Sequence, residues 1–235
     1  MATQFGILSK LEFFQDWASA LIAGINPAIV HNLEKYHILK KVHYLSTIED
    51  VEGDYLEFGV FTGSSFCHSI RCCKKLAMLN PKSLQTKFYG FDSFAGFGPL
   101  KEDDKHPFYT DENFVTSWPA VNRRVKRVAG GIKFKLVPGF FRDSLKDGAK
   151  SLGIIKSKII FIDSDTYESA TEALTFCIPT IQKGTFIVLD DYYSYRGSDK
   201  KGVRRAFSEF IGLTNLQVRH VFTYGLGGVV YVVSG

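Results

Sequence analysis

Four aspartates stand in two pairs, Asp163 with Asp165 and Asp190 with Asp191, directly after the apolar runs Ile159–Ile162 and Phe186–Leu189. If those runs are neighbouring strands, Asp163 and Asp190 share one cleft, where like charges must be relieved by a proton or a cation. A hard divalent cation takes one to three carboxylates together with waters and substrate oxygens, which suits magnesium. No His or Cys partner accompanies the acids, and this argues against zinc. A protonated, purely structural cluster is the alternative. Asp165, with Glu168 three residues on, reads as a helix cap in a capping box, which leaves Asp163 free for chemistry.

A cation of this kind has an evident use if the substrate carries a hydroxyl. An aliphatic alcohol is about as weak an acid as water, with a pKa near 15.7, so ionising it at pH 7 costs roughly 12 kcal/mol. A positioned base contributes about 10²–10⁴-fold, or roughly 3–5 kcal/mol. A base alone falls short, whereas Asp163 as cation ligand and nearby proton acceptor would supply much of the remainder. A phenol, with a pKa near 10, needs less help.

Upstream lies a second constellation. Glu57-Phe-Gly59 ends an apolar run, and Gly59 and Gly63 bracket a loop that enters a helix near Ser64. Glycines let backbone approach a ligand, and a helix start offers unpaired amides and the positive end of a dipole. Asp92, at the end of the next apolar run, suits the two hydroxyls of a ribose, so loop and acid together indicate a nucleoside-containing cofactor. A dinucleotide fold would carry G-x-G-x-x-G with its acid about 20 residues on. This loop lacks that spacing and Asp92 lies 33 positions after Gly59, which disfavours NAD.

The elements that must hold these residues follow from periodicity. Short apolar runs alternate with longer amphipathic stretches from residue 54 onward, the pattern of a parallel sheet covered by helices. Strands are expected at Tyr55–Gly59, Lys87–Phe91, Phe134–Pro138, Ile159–Asp163, Thr185–Asp190, Gln217–Thr223 and Gly228–Val233. Helices are expected near Ser64–Leu79, Glu112–Val128, Ser144–Leu152, Tyr167–Gln182 and Lys200–Gly212. The last two strands, joined through Tyr224-Gly-Leu-Gly-Gly228, should form a hairpin and place one antiparallel strand in an otherwise parallel sheet. The expected fold is α/β, a seven-stranded mixed sheet with helices on both faces. In such sheets ligands bind beyond the carboxyl ends of the strands, and five successive strands deliver an acid or a glycine there: Gly59, Asp92, Gly139, Asp163 and Asp190. Residues 1–53 show helical periodicity without a strand. They are expected to form a helical cover over the site, with residues 54–235 as the sheet domain.

The 235-residue length allows one large domain with an appendage, and its 45% hydrophobic and 23% charged residues exclude disorder and collagen. The net charge of +5 is too mild to identify a nucleic-acid or membrane partner. The basic stretch Arg123–Arg127 lacks aromatic interleaving and reads as a solvated helix face. Cys67, Cys72, Cys73 and Cys177 contain no C-x-x-C pair, so packed free thiols are expected rather than disulfides or zinc. The longest uncharged N-terminal run, Trp17–Val30, is too short to span a bilayer. Glu12 and Asp16 fall where a signal peptide needs an apolar core, so a cytoplasmic location is expected. His31, His37, His43 and His106 are expected to be packed or surface residues. Self-association into a homo-oligomer is left open.

Four blocks carry a family resemblance: Leu56-Glu-Phe-Gly-Val-Phe-Thr-Gly-Ser-Ser65, Phe91-Asp-Ser-Phe-Ala-Gly96, Phe161-Ile-Asp-Ser-Asp-Thr-Tyr-Glu-Ser169, and Leu189-Asp-Asp-Tyr192 with Arg196-Gly197. They resemble the macrocin O-methyltransferase (TylF) family over about residues 52–235. The resemblance implies a Rossmann-like class I methyltransferase fold and S-adenosylmethionine as cofactor. By position, Glu57, Phe58, Gly59, Gly63, Ser64 and Ser65 would face its methionine part, Asp92 and Ser93 the ribose, and Gly139 and Phe140 the neighbourhood of adenine. Asp163, Asp190 and Asp191 would correspond to the family's magnesium site, with Asp163 the catalytic residue. Ser164 and Thr166 depart from a block that usually carries Gly or Ala and Leu, which bears on substrate contacts. The implied activity is Mg²⁺-dependent O-methylation of a small sugar or sugar-bearing hydroxyl acceptor. A catechol-type O-methyltransferase, with Tyr192, Tyr193 and Tyr195 lining an aromatic pocket, and a non-catalytic cofactor-binding protein are the rivals.

Overall fold

A computed structural model describes residues 11–110 and 114–235. The expected helix start at Glu112 and the first ten residues of the N-terminal segment lie outside them. Seven strands, β1 (Asp54–Phe58), β2 (Phe88–Asp92), β3 (Phe134–Pro138), β4 (Ser157–Ile162), β5 (Phe186–Leu189), β6 (Val218–Tyr224) and β7 (Gly228–Val233), form one sheet in the order 3-2-1-4-5-7-6. Strands β1 to β5 run parallel. β7 is antiparallel to both β5 and β6, so the closing hairpin inserts its second strand into the sheet and leaves β6 at the edge.

Strand parity sorts the core into two layers. Tyr55, Phe161, Phe186 and Val188 face one layer, packed under α2 (Pro27–Ile48), α3 (Ser64–Leu76) and α4 (Trp118–Ala129). Leu56, Phe58, Ile160, Ile162 and Leu189 face the other, under α5 (Tyr167–Cys177) and α6 (Gly202–Thr214). The central strands are buried on both sides, which explains their unbroken apolar runs.

Local chemistry sets the helix ends. Pro119 in the first turn of α4 fixes its start at Trp118, later than periodicity alone predicts. Pro179 ends the helix predicted to reach Gln182, so α5 stops at Cys177 and a single 3₁₀ turn follows. The expected helix at 144–152 is two single turns, Phe141–Ser144 and Gly148–Ser151. On α4 Arg123, Lys126 and Arg127 point outward, Arg124 is half-buried, and Val121, Val125 and Ala129 form the buried stripe. All four cysteines are free and buried.

The N-terminal segment has two parts. In α1 (Glu12–Ala23) no residue is buried, and Phe13, Phe14, Trp17 and Leu21 are exposed. Asn26 caps α2 by accepting from Ala28 N, and Pro27 opens the helix. The middle of α2 is core: Leu39 and Val42 are fully buried. Its first turns run to the carboxyl rim of the sheet. No described helix is long and apolar enough to cross a membrane.

Candidate active site

The rim assembles where β1 and β4 end side by side. Gly59 has φ +96°, and a Cβ added there would stand 1.7 Å from the Asp163 carbonyl oxygen, so only glycine permits this approach. Gly63, at φ +76°, caps α3, and Arg124 holds the intervening loop through a hydrogen bond to the Thr62 carbonyl at 2.8 Å. The resulting cleft is lined by Gly59, Phe61, Asp92, Ser93, Phe140, Asp163, Ser164 and Asp165, together with Lys35 from α2.

The expected cofactor residues divide by parity and depth. Asp92, Ser93, Gly59 and Phe140 border the cleft directly. Asp92 also fixes its own walls, accepting from Phe61 N at 2.7 Å and Phe94 N at 2.6 Å. Gly139 adopts φ +129° at the end of β3, and its carbonyl accepts from Ser144. The Phe58 ring points into the opposite layer, stacked 4.7 Å from Phe91, and does not line the cleft. Ser64 opens α3, while Ser65 and Glu57 lie fully inside: Ser65 Oγ donates to Glu57 Oε1 at 2.6 Å and Tyr55 OH donates to Oε2.

Burial raises the Glu57 carboxyl to about 7, against the Ser65 and Tyr55 hydrogen bonds that hold it down. A carboxyl raised on folding contributes stability that is full below its unfolded value near 4.5 and lost as pH rises through about 7. The amount is about 3 kcal/mol. Urea unfolding of the cofactor-free protein is therefore expected to show stability falling between pH 5 and 8. Glu57→Gln should flatten that fall, and an unchanged slope would contradict the assignment.

The aspartates converge as the strand ends require. One ligand atom each from Asp163, Asp190 and Asp191 lie within 4.8 Å of one another. Burial and the Asp190 charge push the Asp163 carboxyl well above the usual carboxylate range. Burial would raise Asp190 too, but Lys35 and His31 beside it hold its carboxyl well below that range. The set fits a hard cation. Asp191 Oδ2 is buried without an N–H or hydroxyl donor, and the Asp191 side chain bonds to Asp165 only through a proton on one of the two acids, which a cation would replace. Its Oδ1 accepts from Tyr109 OH at 3.2 Å and Ser194 Oγ at 3.3 Å.

Asp165 does not cap α5. Thr166 is the N-cap, its Oγ1 accepting from Ser169 N, and Asp104 reaches in from a distant loop to accept from Tyr167 N at 2.7 Å and Glu168 N at 3.2 Å. Asp165 instead adopts φ +63° and lines the cleft, where burial and then Asp191 push its carboxyl well above the usual range. Thr166 therefore departs from the family block for a structural reason, whereas Ser164 borders the cleft, its Oγ buried without a partner.

Two residues at the rim escaped sequence reasoning. Lys35 Nζ lies 2.9 Å from Asp163 Oδ2 and 2.7 Å from Asp190 Oδ2. Burial opposes its charge, yet the two carboxylates outweigh it and hold the ammonium well above its usual value. His31, expected to be merely packed or superficial, accepts from Leu226 N through Nδ1, which leaves Nε2 to donate to Asp190 Oδ2 at 3.1 Å. Tyr224 OH donates to the other Asp190 oxygen at 2.7 Å. The signal was present: Lys35 occupies the buried stripe of α2 that continues through Leu39 and Val42, and His31 lies one turn before it on the same face.

A sequence model of the family described as "Macrocin-O-methyltransferase (TylF)" matches residues 16–222. The match takes in α2 and most of α1, beyond the 52–235 resemblance. The 8-demethyl-8-(2,3-dimethoxy-alpha-L-rhamnosyl)-tetracenomycin-C 4'-O-methyltransferase of Streptomyces olivaceus is 25% identical over 213 residues, covering 83% of this chain and 77% of its own. The mycinamicin III 3''-O-methyltransferase of Micromonospora griseorubida is 26% identical over 182 residues, covering 71% of this chain and 66% of its own. Among solved structures, the O-methyltransferase NovP superposes with a TM-score of 0.68 at 19% identity, over 85% of this chain and 79% of that one.

Proposed function

The chain belongs to the macrocin O-methyltransferase family and is an S-adenosylmethionine-dependent methyltransferase, and from that premise we propose that it methylates a sugar hydroxyl of a glycosylated small molecule, with a divalent cation at Asp163, Asp190 and Asp191. The observation that carries the metal part is the convergence of three carboxylates, one oxygen each from Asp163, Asp190 and Asp191 lying within 4.8 Å of one another. Both curated relatives are named for methylation at a hydroxyl position of a glycosylated metabolite.

When bound, S-adenosylmethionine supplies the methyl group and a sulfur that departs with the C–S electron pair, and the cation supplies a Lewis acid that eases ionisation of the hydroxyl. Asp163 accepts the proton of the acceptor hydroxyl as the new O–CH₃ bond forms. Asp92 and Ser93 bind the ribose side, and Phe61 and Phe140 wall the cleft against water. Tyr109 and Ser194 fix Asp191, and Tyr224 fixes Asp190, so the carboxylates are positioned before the substrate arrives. The first turns of α2 cover the acceptor side. His31 and Lys35 of α2 reach the rim, and Glu34 accepts from Gly225 N in the β6–β7 turn.

Treatment with a chelator is expected to lower turnover of a glycosylated acceptor at least tenfold, with recovery on adding Mg²⁺. Turnover unaffected by chelator would contradict the metal assignment, and preference for a catechol over a sugar would contradict the acceptor class.

A further inference from the structure

Lys35 is an unusual occupant of its position. It sits on the apolar stripe of α2, its side chain 10% exposed, where Leu or Met would satisfy packing. A buried ammonium is tolerated only when paired, and this one has two carboxylate partners from different strands. Those partners are two of the three acids assigned to the cation. On Asp190, Oδ1 accepts from Tyr224, and Oδ2, the oxygen that faces Asp163 across the Lys35 ammonium, already accepts from both His31 and Lys35. A cation that ligates Asp163 and Asp190 through these facing oxygens must therefore compete with the donors already on them. Lys35 is the donor that carries full like charge and also touches a second ligand, Asp163.

We propose that Lys35 is a positioning residue whose ammonium and the divalent cation compete for the facing oxygens of Asp163 and Asp190. The inference rests on the metal site proposed above. Without the cation, Lys35 neutralises part of the acidic rim, holds the β4 and β5 ends in register and pins the first turns of α2 over the cleft. When the cation binds, the ammonium is displaced from the shared oxygens. Cation occupancy and the tether of α2 are thus linked, and the linkage acts in both directions.

Titration of the full chain with Mn²⁺, followed by electron paramagnetic resonance of the free ion, tests this without reference to turnover. Lys35→Met is expected to bind Mn²⁺ at least tenfold more tightly than the unmodified chain, and Lys35→Arg, which keeps the charge, within about threefold of it. Hydrogen exchange across residues 27–36 should rise on Mn²⁺ addition in the unmodified chain and be raised already in Lys35→Met. Equal or weaker Mn²⁺ binding by Lys35→Met would overturn the competition while leaving the metal site standing. Absence of Mn²⁺ binding in every variant would overturn both, and S-adenosylmethionine binding measured by calorimetry reports separately on the methyltransferase reading. Should Lys35→Met fail to fold, exchange in the unmodified chain decides: no response of residues 27–36 to bound Mn²⁺ overturns the proposal.

Discussion

Asp163→Asn is expected to lower methyl transfer by about a thousandfold or more while S-adenosylmethionine affinity changes by less than about threefold. The asparagine keeps the shape of the side chain at the end of β4 but cannot take a proton and is a poorer cation ligand. Loss of a positioned base alone costs about 10²–10⁴-fold, and weakening of the cation site adds to it. Lys35 remains paired with Asp190 in the variant, so the rim retains its framework. Single-turnover kinetics beside calorimetry separate the two effects. A loss below tenfold would remove Asp163 from the chemistry, and a parallel loss of cofactor binding would make it a structural residue.

Gly59→Ala is expected to destabilise the fold by about 4 kcal/mol and to abolish cofactor binding. Two causes add: a left-handed backbone that L-residues occupy only under strain, worth about 1–3 kcal/mol, and forced overpacking, typically about 1–3 kcal/mol. The methyl would fall 1.7 Å from the Asp163 carbonyl oxygen and 2.6 Å from its carbon, both backbone atoms that no rotamer change can move. Relief would require β1 and β4 to part at the point where the cleft begins. For a chain of this size the loss corresponds to a melting temperature lower by roughly 8–16 °C. Gly131→Ala is the control, since a Cβ there meets nothing within 4 Å. Calorimetric scanning of both variants, with and without S-adenosylmethionine, checks the prediction; equal melting temperatures would contradict it.

What the sequence reveals and what it conceals have physical causes. Central strands of a parallel sheet are buried on both faces, so Ile159–Ile162 and Phe186–Leu189 appear as unbroken apolar runs and the acids after them fall on one rim. That made the aspartate cluster and Asp92 legible. Phe58 is misread without parity: adjacent to Gly59 in sequence, its ring points to the opposite layer. Asp165 followed by Glu168 satisfies the capping-box pattern, but a tertiary partner, Asp104, and the intervening Thr166 supply the cap instead. Lys35 and His31 pair with Asp190 across more than 150 residues, a contact that local spacing does not encode. Only the oddity of a lysine on an apolar stripe marks it.

The most direct test follows the methyl group itself. The protein is incubated with S-adenosylmethionine labelled with ¹³C at the methyl carbon, Mg²⁺ and a glycosylated small-molecule acceptor, and the product is resolved by NMR. The account predicts one labelled methoxy carbon coupled to a sugar ring proton, formed in equal amount with S-adenosylhomocysteine and lost in Asp163→Asn. Label on nitrogen, carbon or an aromatic hydroxyl, or full labelling by Asp163→Asn, would contradict it.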